Sequence, residues 1–453
     1  MALTLQQYPT SPNIANSNLV YLCTSTQVAQ PQFQFVVDIK DESGTLIQRV
    51  KQQPNPSSKG VFDIGNIMPT ELGPTDKVWD ISAAAANVFC ARDFEIAFGE
   101  EYGTSVSSSV TLYDGAGSPG DPAVTQPTAI FFLLDGVTNP EDLIDWNWNS
   151  GSKYDEEDPL DDVTFNHQFG LTTFNSSSIR LGDYHTISLL NGNTQGNGDN
   201  PNSAMDVFAA TIRQYDSSGV IGSTDIIYNE VLRGGSPTVV FWNDVYTLQT
   251  DNTRLIHWPA GPQNLVDAGI GIDSDLAYYT ITFTAQATDG LENSSGVWGT
   301  YRFDVTTANC GYEGVRFAYK NIYGVWDYFN FGLAESNESS IERQQYKQSF
   351  LNYSNTDNNV AYDKERRGKN NYYNKITNQR TANSDYLTQT DADNLRELFN
   401  STDVYAADGR YGGQFLPVII TNASITEKTN PRTQKLFKYT VEYQFANEAR
   451  SRR

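Results

Sequence analysis

The stretch QFQFVVDI at residues 32–39 decides the fold, because large apolar side chains recur at every second position. Successive side chains of a β-strand point to opposite faces, so the odd-numbered residues Phe33, Phe35, Val37 and Ile39 would share one face. A period of two with one apolar face predicts a half-buried strand. The turn sequence DESG follows and leads into a second run, which predicts a hairpin.

Short runs of the same kind recur along the chain and are separated by turn residues. They lie at 94–99, 110–113, 130–134, 185–190, 207–214, 239–242, 279–283, 416–421 and 437–445. The last run alternates most regularly, with aromatic and aliphatic side chains on one face. Tyr and Phe number 26 and 23, and both favour strands. The sequence therefore predicts a mainly β fold, a multi-domain β-sandwich-like architecture.

The last third of the chain contains the one segment that predicts a helix, at 391–400. Leu395, Leu398 and Phe399 would share one helical face, and Thr390 could cap the N-terminus. Residues 338–351 fit a helix or a strand equally well. We therefore expect a small α+β C-terminal domain.

Charge and composition divide the chain into three predicted domains. These are an N-terminal β-sandwich-like domain at 1–124, a larger acidic β domain at 125–310, and a C-terminal β-rich assembly domain at 311–453. The Gly- and Pro-rich segment 115–127 is the predicted linker between the first two. Residues 1–310 hold 12 basic and 37 acidic side chains, whereas residues 311–453 hold 19 and 17. Such asymmetry is typical of domains with different neighbours.

The net charge of −23 excludes the simplest kinds of partner. An acidic chain repels phosphate backbones and anionic lipid headgroups, so we expect neither nucleic acid nor membrane as a partner. The sequence contains no run of 18 apolar residues and begins without a basic segment followed by an apolar one. We therefore expect neither a membrane span nor a signal peptide.

A search for chemistry yields no catalytic, cofactor-binding or metal-binding residue. His167, His185 and His257 stand apart from any His or Cys at ligand spacing, and structural roles are expected for them. Cys23 and the other two cysteines, at 90 and 310, form no disulfide pattern, and buried thiols are expected. We expect a protein that is not an enzyme and requires no cofactor.

Three features allow more than one interpretation. The segment GAGSPG at 115–120 fits a dinucleotide-binding pattern, but the prolines that follow oppose the helix such a site needs, so a turn is expected. The acidic segment 154–162 is interpreted as a solvated loop, with a bound cation as the alternative. Trp146 and Trp148 would share a strand face, where packing is favoured over a sugar-stacking platform. Carboxylates are so abundant in this composition that their number gives no signal for the paired acids of a glycoside hydrolase.

Several segments resemble structural proteins of tailed phages, mostly phages of marine bacteria and Bacteroidetes, including crAss-like phages. The similarity is sharpest at CGYE (310–313), VRF (315–317), NIYGVWDYFNF (321–331), SDYL (384–387), PVIIT (417–421), KT (428–429), KLF (435–437) and FANE (445–448). Weaker similarity occurs at FDI (62–64), FGEEY (98–102) and GPQNL (261–265). The resemblance implies a non-enzymatic virion structural protein in the tail, the hub or baseplate, or a fibre-attachment ring. It implies no catalytic residues.

From this resemblance we expect a protein located in the virion and assembled in the host cytoplasm. Its expected partners are copies of itself in a ring and other tail or neck proteins. The nearly neutral C-terminal region is expected to supply much of the contact, because the acidic regions of neighbouring copies would repel each other. The aromatic residues at 323–331 crowd around Gly324, and they are expected to form core packing, with an interface anchor as the alternative. The other functions considered are a surface adhesin or carbohydrate-binding protein, and a polysaccharide-degrading enzyme.

Overall fold

The fold is seen in a computed structural model and is mainly β: 54% of the described residues lie in strands and 6% in helices. The described residues are 3–8, 13–16, 19–41, 43–68, 77–82, 85–86, 91–123, 131–137, 170–174, 176–190, 207–219, 226–231, 255–286, 295–306, 314–333, 335–349, 351–354, 356–362, 365, 368–408, 413–422 and 438–447. The predicted fold class is confirmed.

The described strands range from two residues (β7) to fifteen (β23). In chain order they are β1 (Leu3–Gln7), β2 (Asn13–Asn16), β3 (Val20–Ser25), β4 (Gln34–Asp41), β5 (Leu46–Gln52), β6 (Lys59–Asp63), β7 (Ala85–Ala86), β8 (Ala91–Tyr102), β9 (Thr111–Tyr113), β10 (Phe131–Val137), β11 (Ser176–Ile179), β12 (Thr186–Leu190), β13 (Val207–Tyr215), β14 (Ile226–Val231), β15 (Leu255–Pro259), β16 (Tyr278–Gln286), β17 (Ser295–Val305), β18 (Val315–Lys320), β19 (Trp326–Phe331), β20 (Ser336–Lys347), β21 (Leu351–Ser354), β22 (Asn359–Tyr362), β23 (Lys369–Asn383), β24 (Val404–Asp408), β25 (Phe415–Ile420) and β26 (Thr440–Phe445). The described residues form two helices, α1 (Pro262–Asp267) and α2 (Gln389–Asn400). The predicted strand at 239–242 lies outside the described residues.

The chain divides into two compact units. The first unit comprises residues 1–307 and 320–327, and the second comprises 308–319 and 328–453. The predicted boundaries near 124 and 310 remain predictions. The strand β10 lies beyond the first of them and pairs with β8 and β2.

Two sheets enclose a hydrophobic core at the start of the first unit. One has the order β1-β3-β6, and the other has the order β2-β10-β8-β4-β5 with β9 paired to β8. Leu3, Tyr21 and Phe62 of the small sheet share a buried cluster with Phe35, Phe94 and Phe98 of the large one. Tyr21 and Phe98 lie with ring centroids 5.1 Å apart. This is the arrangement of a β-sandwich.

The predicted hairpin is confirmed, but the prediction that its first strand is half-buried is wrong. β4 pairs with β5 on one side and with β8 on the other, and residues 35–39 are buried on both faces. Asp38 lies on the face predicted to be exposed, where Arg49 of β5 binds its carboxylate. A buried charge is tolerated in a strand when a partner on the neighbouring strand neutralises it.

The described part of the predicted linker is a packed turn. The Asp114 side chain accepts hydrogen bonds from the backbone of Ala116 and Ser118, and the backbone N–H of Leu3 donates to Gly115 at 2.9 Å. A Cβ on Gly99 would lie 2.9 Å from Pro122 Cγ. The turn therefore covers a face of the sheet, and the prediction of a linker is wrong for residues 115–123. As expected, the GAGSPG segment forms no helix.

A second pair of sheets follows within the first unit. One has the order β11-β17-β16-β13-β14, and the other has the order β12-β15-β7. Their shared core includes Ile187 and Trp258 from the small sheet, and Ile281 and Phe283 from the large one. The Trp258 and Phe283 rings meet edge to face at 5.5 Å.

The second unit contains a sheet of seven strands and the helix α2. Its order is β19-β18-β24-β25-β26-β23-β20, and β21 and β22 form a separate pair. The predicted helix is confirmed, and Leu395 and Leu398 are buried on one face. The predicted cap is wrong. Thr388 caps the helix, because Asp391 at the third helical position completes a capping box with it.

The corrected cap leads to a test. Thr388→Ala removes the acceptor of the Asp391 N–H, and we expect it to lower the free energy of unfolding of the second unit by about 1 kcal/mol. Thr390→Ala leaves the capping box of Thr388 and Asp391 intact, so it serves as the matched control with a smaller expected loss. Chemical denaturation followed by circular dichroism measures both. Equal effects of the two substitutions would contradict the assignment of the cap.

Candidate assembly surface

The most distinctive surface of the second unit is a β-ribbon that extends past its sheet. β23 pairs with β26 only from Arg380 to Asn383. Within the described part of the chain, the preceding residues 369–379 of β23 pair only with β20. We call residues 336–383 the arm: β20, β23 and the β21–β22 pair between them. All twelve residues of β20 are exposed.

The arm carries an unusual share of exposed apolar side chains. Of the 16 exposed large hydrophobic residues in the described chain, seven lie on the arm: Ile341, Tyr346, Leu351, Tyr353, Val360, Tyr372 and Ile376. Ile341 and Ile376 are direct cross-strand partners, and the rings of Tyr346 and Tyr372 lie 6.2 Å apart. Each pair therefore shares a face. Clustered exposed apolar side chains are typical of an interaction surface.

The arm also differs in charge from the rest of the chain. It holds 8 basic and 5 acidic side chains, a net charge of +3, whereas the whole chain carries −23. Lys369 and Lys375 lie on exposed positions of β23. A basic and apolar ribbon on an acidic protein can bind an acidic surface by electrostatic complementarity.

The sequence gives no local sign of the arm, since residues 338–351 fit a helix or a strand equally well. In the structure, residues 338–347 belong to β20, and Leu351 begins β21. β20 has solvent on both faces, so its sequence shows no apolar alternation. The available signal was the departure from the surrounding acidic composition.

The best-organised polar centre lies inside the first unit, at Asp327. The Asp327 carboxylate is fully buried and accepts hydrogen bonds from Thr172 Oγ1, from Thr173 N at 3.1 Å and Oγ1 at 2.6 Å, and from Asn321 Nδ2 at 3.0 Å. Asn321 Nδ2 also donates to Leu171 O at 2.8 Å. The centre therefore joins residues 171–173 to the turn at 321–327.

Burial raises the pKa of Asp327 above its ordinary value, and the donated hydrogen bonds partly oppose that shift. Burial also raises the pKa of the neighbouring Tyr301, with a further contribution from the Asp327 charge. Because the carboxylate is closed to solvent and engaged by three side chains, it can hold the turn in place but cannot reach a substrate. It is a packing element.

The turn itself follows from its sequence. Gly324 has φ +76°, a conformation that favours glycine, and its N–H donates to Asn321 O at 2.9 Å. Gly136 leaves room for the turn, since a Cβ there would lie 2.2 Å from Ile322 O.

The predicted packing role of the aromatic residues around Gly324 agrees with their burial. Tyr323, Trp326, Tyr328 and Phe331 are buried, and Phe329 is half-buried. Tyr323 and Trp326 belong to the first unit, where Trp326 meets Trp79 edge to face at 5.5 Å. The other three belong to the second unit, where Phe331 packs on Phe317.

A second segment of the resemblance, GPQNL at 261–265, also serves packing. It begins α1, and the buried Asn264 donates hydrogen bonds to the carbonyl oxygens of Trp79 and Ile81, both at 2.7 Å. Its own side-chain oxygen accepts from the backbone N–H of His185 at 2.8 Å. A Cβ on Gly261 would lie 2.4 Å from the same nitrogen, so the close contact requires glycine.

The two described histidines are buried. His185 packs edge to face on Phe303. His257 is enclosed, its Nδ1 lies 2.9 Å from Ser188 Oγ, and its Nε2 has no hydrogen-bond partner in the described part of the chain. Burial lowers the pKa of His257 to about 3, so its ring stays neutral in the folded protein.

His257 should make stability depend on pH. The pKa of its ring is about 3 in the folded protein and 6.5 in an ordinary, solvated histidine, so only the unfolded chain takes up a proton between these values. The contribution of His257 to the free energy of unfolding is therefore fully present above pH 6.5. It falls with decreasing pH, by up to about 1.4 kcal/mol per pH unit. His257→Asn removes this contribution. Urea denaturation between pH 7 and pH 5 should give a steeper loss for the wild type, and parallel curves would contradict the prediction.

The remaining candidate residues divide into two groups. Cys23 is buried, as expected, and burial raises its thiol pKa to about 12. His167, Trp146, Trp148, the acidic segment 154–162 and the cysteines at 90 and 310 lie outside the described residues.

The described residues contain no group of three or more His, Cys, Asp or Glu side chains that could hold a metal ion. Neither described helix is long and apolar enough to cross a membrane.

No family model matches the chain, and no curated protein matches it in sequence.

Proposed function

We propose that the chain is a non-enzymatic structural component of a tailed-phage virion, located in the tail, the hub or baseplate, or a fibre-attachment ring. The observation that carries the proposal is the arm, which exposes seven large apolar side chains on a ribbon beyond its sheet. A protein that acts alone gains nothing from such exposure, whereas an assembly component buries it in its neighbours.

The phage assignment comes from the resemblance of 310–331 and the other C-terminal segments to tailed-phage structural proteins. The burial of that stretch supports a role in architecture, because its aromatic side chains and Asp327 are engaged in packing. The buried carboxylate and imidazole of the first unit are likewise enclosed, which supports the non-enzymatic part of the proposal. Copies in a ring and other tail or neck proteins are the proposed partners.

Mass spectrometry of density-purified phage particles from the source of the sequence tests this function. The chain should be present in a fixed number of copies per particle and should stay with the tail fraction when heads and tails are separated. Its absence from intact particles would overturn the proposal. Its release by mild washing, without loss of particle integrity, would also contradict a structural role.

A surface adhesin that binds host carbohydrate is the second candidate. It is favoured by the exposure of Tyr346, Tyr353 and Tyr372, because flat aromatic rings stack on sugars and can anchor an interface. A glycan array with the full chain separates the two candidates. Binding to a defined glycan that Tyr353→Ala abolishes would favour the adhesin. Absence of binding together with tail-bound copies would favour the structural component.

A further inference from the structure

We propose that the arm docks on the acidic body, residues 1–310, of a second copy of the chain, and that this contact links copies head to tail. The inference rests on the proposed function and names the partner of the same surface. It identifies a basic apolar ribbon on one copy and an acidic surface on the next as the two halves of the interface.

The length of the ribbon determines how far the arm extends beyond its sheet. Among the residues that the structure describes, the eleven residues 369–379 pair only with β20. At about 3.3 Å per residue they extend about 36 Å past the point where β26 stops pairing with β23. A two-stranded ribbon with solvent on both faces has little intrinsic stability. A neighbour that covers one face would supply the missing burial.

Charge identifies that neighbour as another copy. The arm carries +3 and the acidic body carries −25, from 12 basic and 37 acidic side chains. Two acidic bodies brought into direct contact would repel each other, whereas a basic arm between them turns that contact into an attraction. Every copy carries both the arm and the acidic body, so each copy can bind another copy of the same chain.

The two halves lie on different parts of the chain, which makes the contact heterologous. Contacts of this kind produce a closed ring when the rotation between copies closes and a filament when it does not. A ring is the form expected of the proposed virion component.

The first test separates the arm's charge from net charge alone. Lys369→Glu reverses one exposed arm charge, and Lys438→Glu reverses one exposed charge that lies outside both the arm and the acidic body. Each substitution lowers the net charge by the same amount. Sedimentation velocity at physiological salt should show the arm variant associating at least about tenfold more weakly than the wild type. The control should stay within about threefold of the wild type, and equal weakening by both would overturn the proposal.

The second test deletes the arm and measures whether the remaining chain still associates. Ser340 and Thr377 are direct cross-strand partners, so an Asn-Gly turn can replace residues 341–376 without disturbing the pairing of β23 with β26. This armless chain should be monomeric and should keep the circular dichroism spectrum of a folded β protein. It should still join intact copies through its acidic body and shorten their assemblies. Failure to join would show that arms bind arms and would overturn the proposal.

Zero-length cross-linking identifies the partner directly. Intact ¹⁴N and ¹⁵N chains are mixed, treated with a carbodiimide and examined by mass spectrometry. Cross-links from Lys369 or Lys375 to carboxylates of residues 1–310 should join light to heavy chains. Links confined to single chains, or an arm that binds RNA while the chain stays monomeric, would overturn the proposal.

These outcomes distinguish the inference from the function on which it rests. An armless chain that assembles like the wild type and remains in virions would overturn the arm's role alone. An intact chain that is absent from virions and monomeric would overturn both.

Discussion

Replacing Asp327 with Ala should lower the free energy of unfolding of the first unit by about 3–5 kcal/mol. The substitution removes the acceptor for donors on Thr172, Thr173 and Asn321, all within a site closed to solvent. Each buried donor left without a partner has a desolvation cost, and a small cavity adds to it. Guanidinium denaturation followed by tryptophan fluorescence measures the change, since Trp79 and Trp326 are in contact beside the site.

An exposed aspartate in the same unit provides the matched control. Asp304 accepts hydrogen bonds from Arg302, and the two side chains are 43% and 50% exposed. Asp304→Ala should therefore change stability by less than about 1 kcal/mol. A loss at Asp327 no larger than the loss at Asp304 would show that the buried carboxylate does not hold the turn at 321–327.

Replacing Arg49 with Ala should destabilise the first sandwich by about 3 kcal/mol. Arg49 Nε and Nη2 donate to the two oxygens of Asp38 at 2.6 and 2.7 Å, and the Asp38 side chain is 2% exposed. The pair raises the pKa of Arg49, mainly through the Asp38 hydrogen bonds. Loss of the guanidinium leaves a buried carboxylate without its cation. The partial exposure of Arg49 places the expected effect at the lower end of the range for buried pairs.

A double substitution distinguishes an orphaned charge from a general loss of packing. Asp38→Leu with Arg49→Met replaces both partners by apolar side chains and should restore stability to within about 1–2 kcal/mol of the wild type. Arg302→Ala, which removes an exposed arginine, should cost less than about 1 kcal/mol. A double variant as unstable as Arg49→Ala would contradict the explanation.

The sequence predicted the strands well, because burial on at least one face leaves a local pattern. The runs at 94–99, 207–214 and 279–283 all lie within described strands. The sequence did not predict that the second face of β4 is buried. Burial of Asp38 on that face depends on Arg49 across the hairpin and on the turn at 114–122. A period of two cannot show what covers the other face.

Local patterns also misled at two positions. The sequence favours Thr390 as the helix cap because a Thr side chain can accept a hydrogen bond from the helix N-terminus, whereas the reciprocal bonds of Thr388 and Asp391 place the cap two residues earlier. The arm left no apolar period because neither face of β20 is buried. Its position as an unsupported ribbon follows from where β26 stops pairing with β23.

The polar centre was beyond sequence reasoning for a different reason. Thr172 and Thr173 lie 155 and 154 positions from Asp327 along the chain. Only the tertiary fold brings them together, and a lone Asp within an aromatic stretch gives no indication of its partners. The aromatic residues around Gly324 were predictable as packing because their size and the glycine turn are local features.

Electron cryomicroscopy of the assembled particle tests the central claim most directly, because it shows which surfaces are buried between chains. The account predicts a ring of identical copies in the tail, with the arm at 336–383 covered by the acidic body of the neighbouring copy. A particle in which the area buried between chains lay almost wholly on residues 1–310, with residues 311–453 free in solvent, would contradict it.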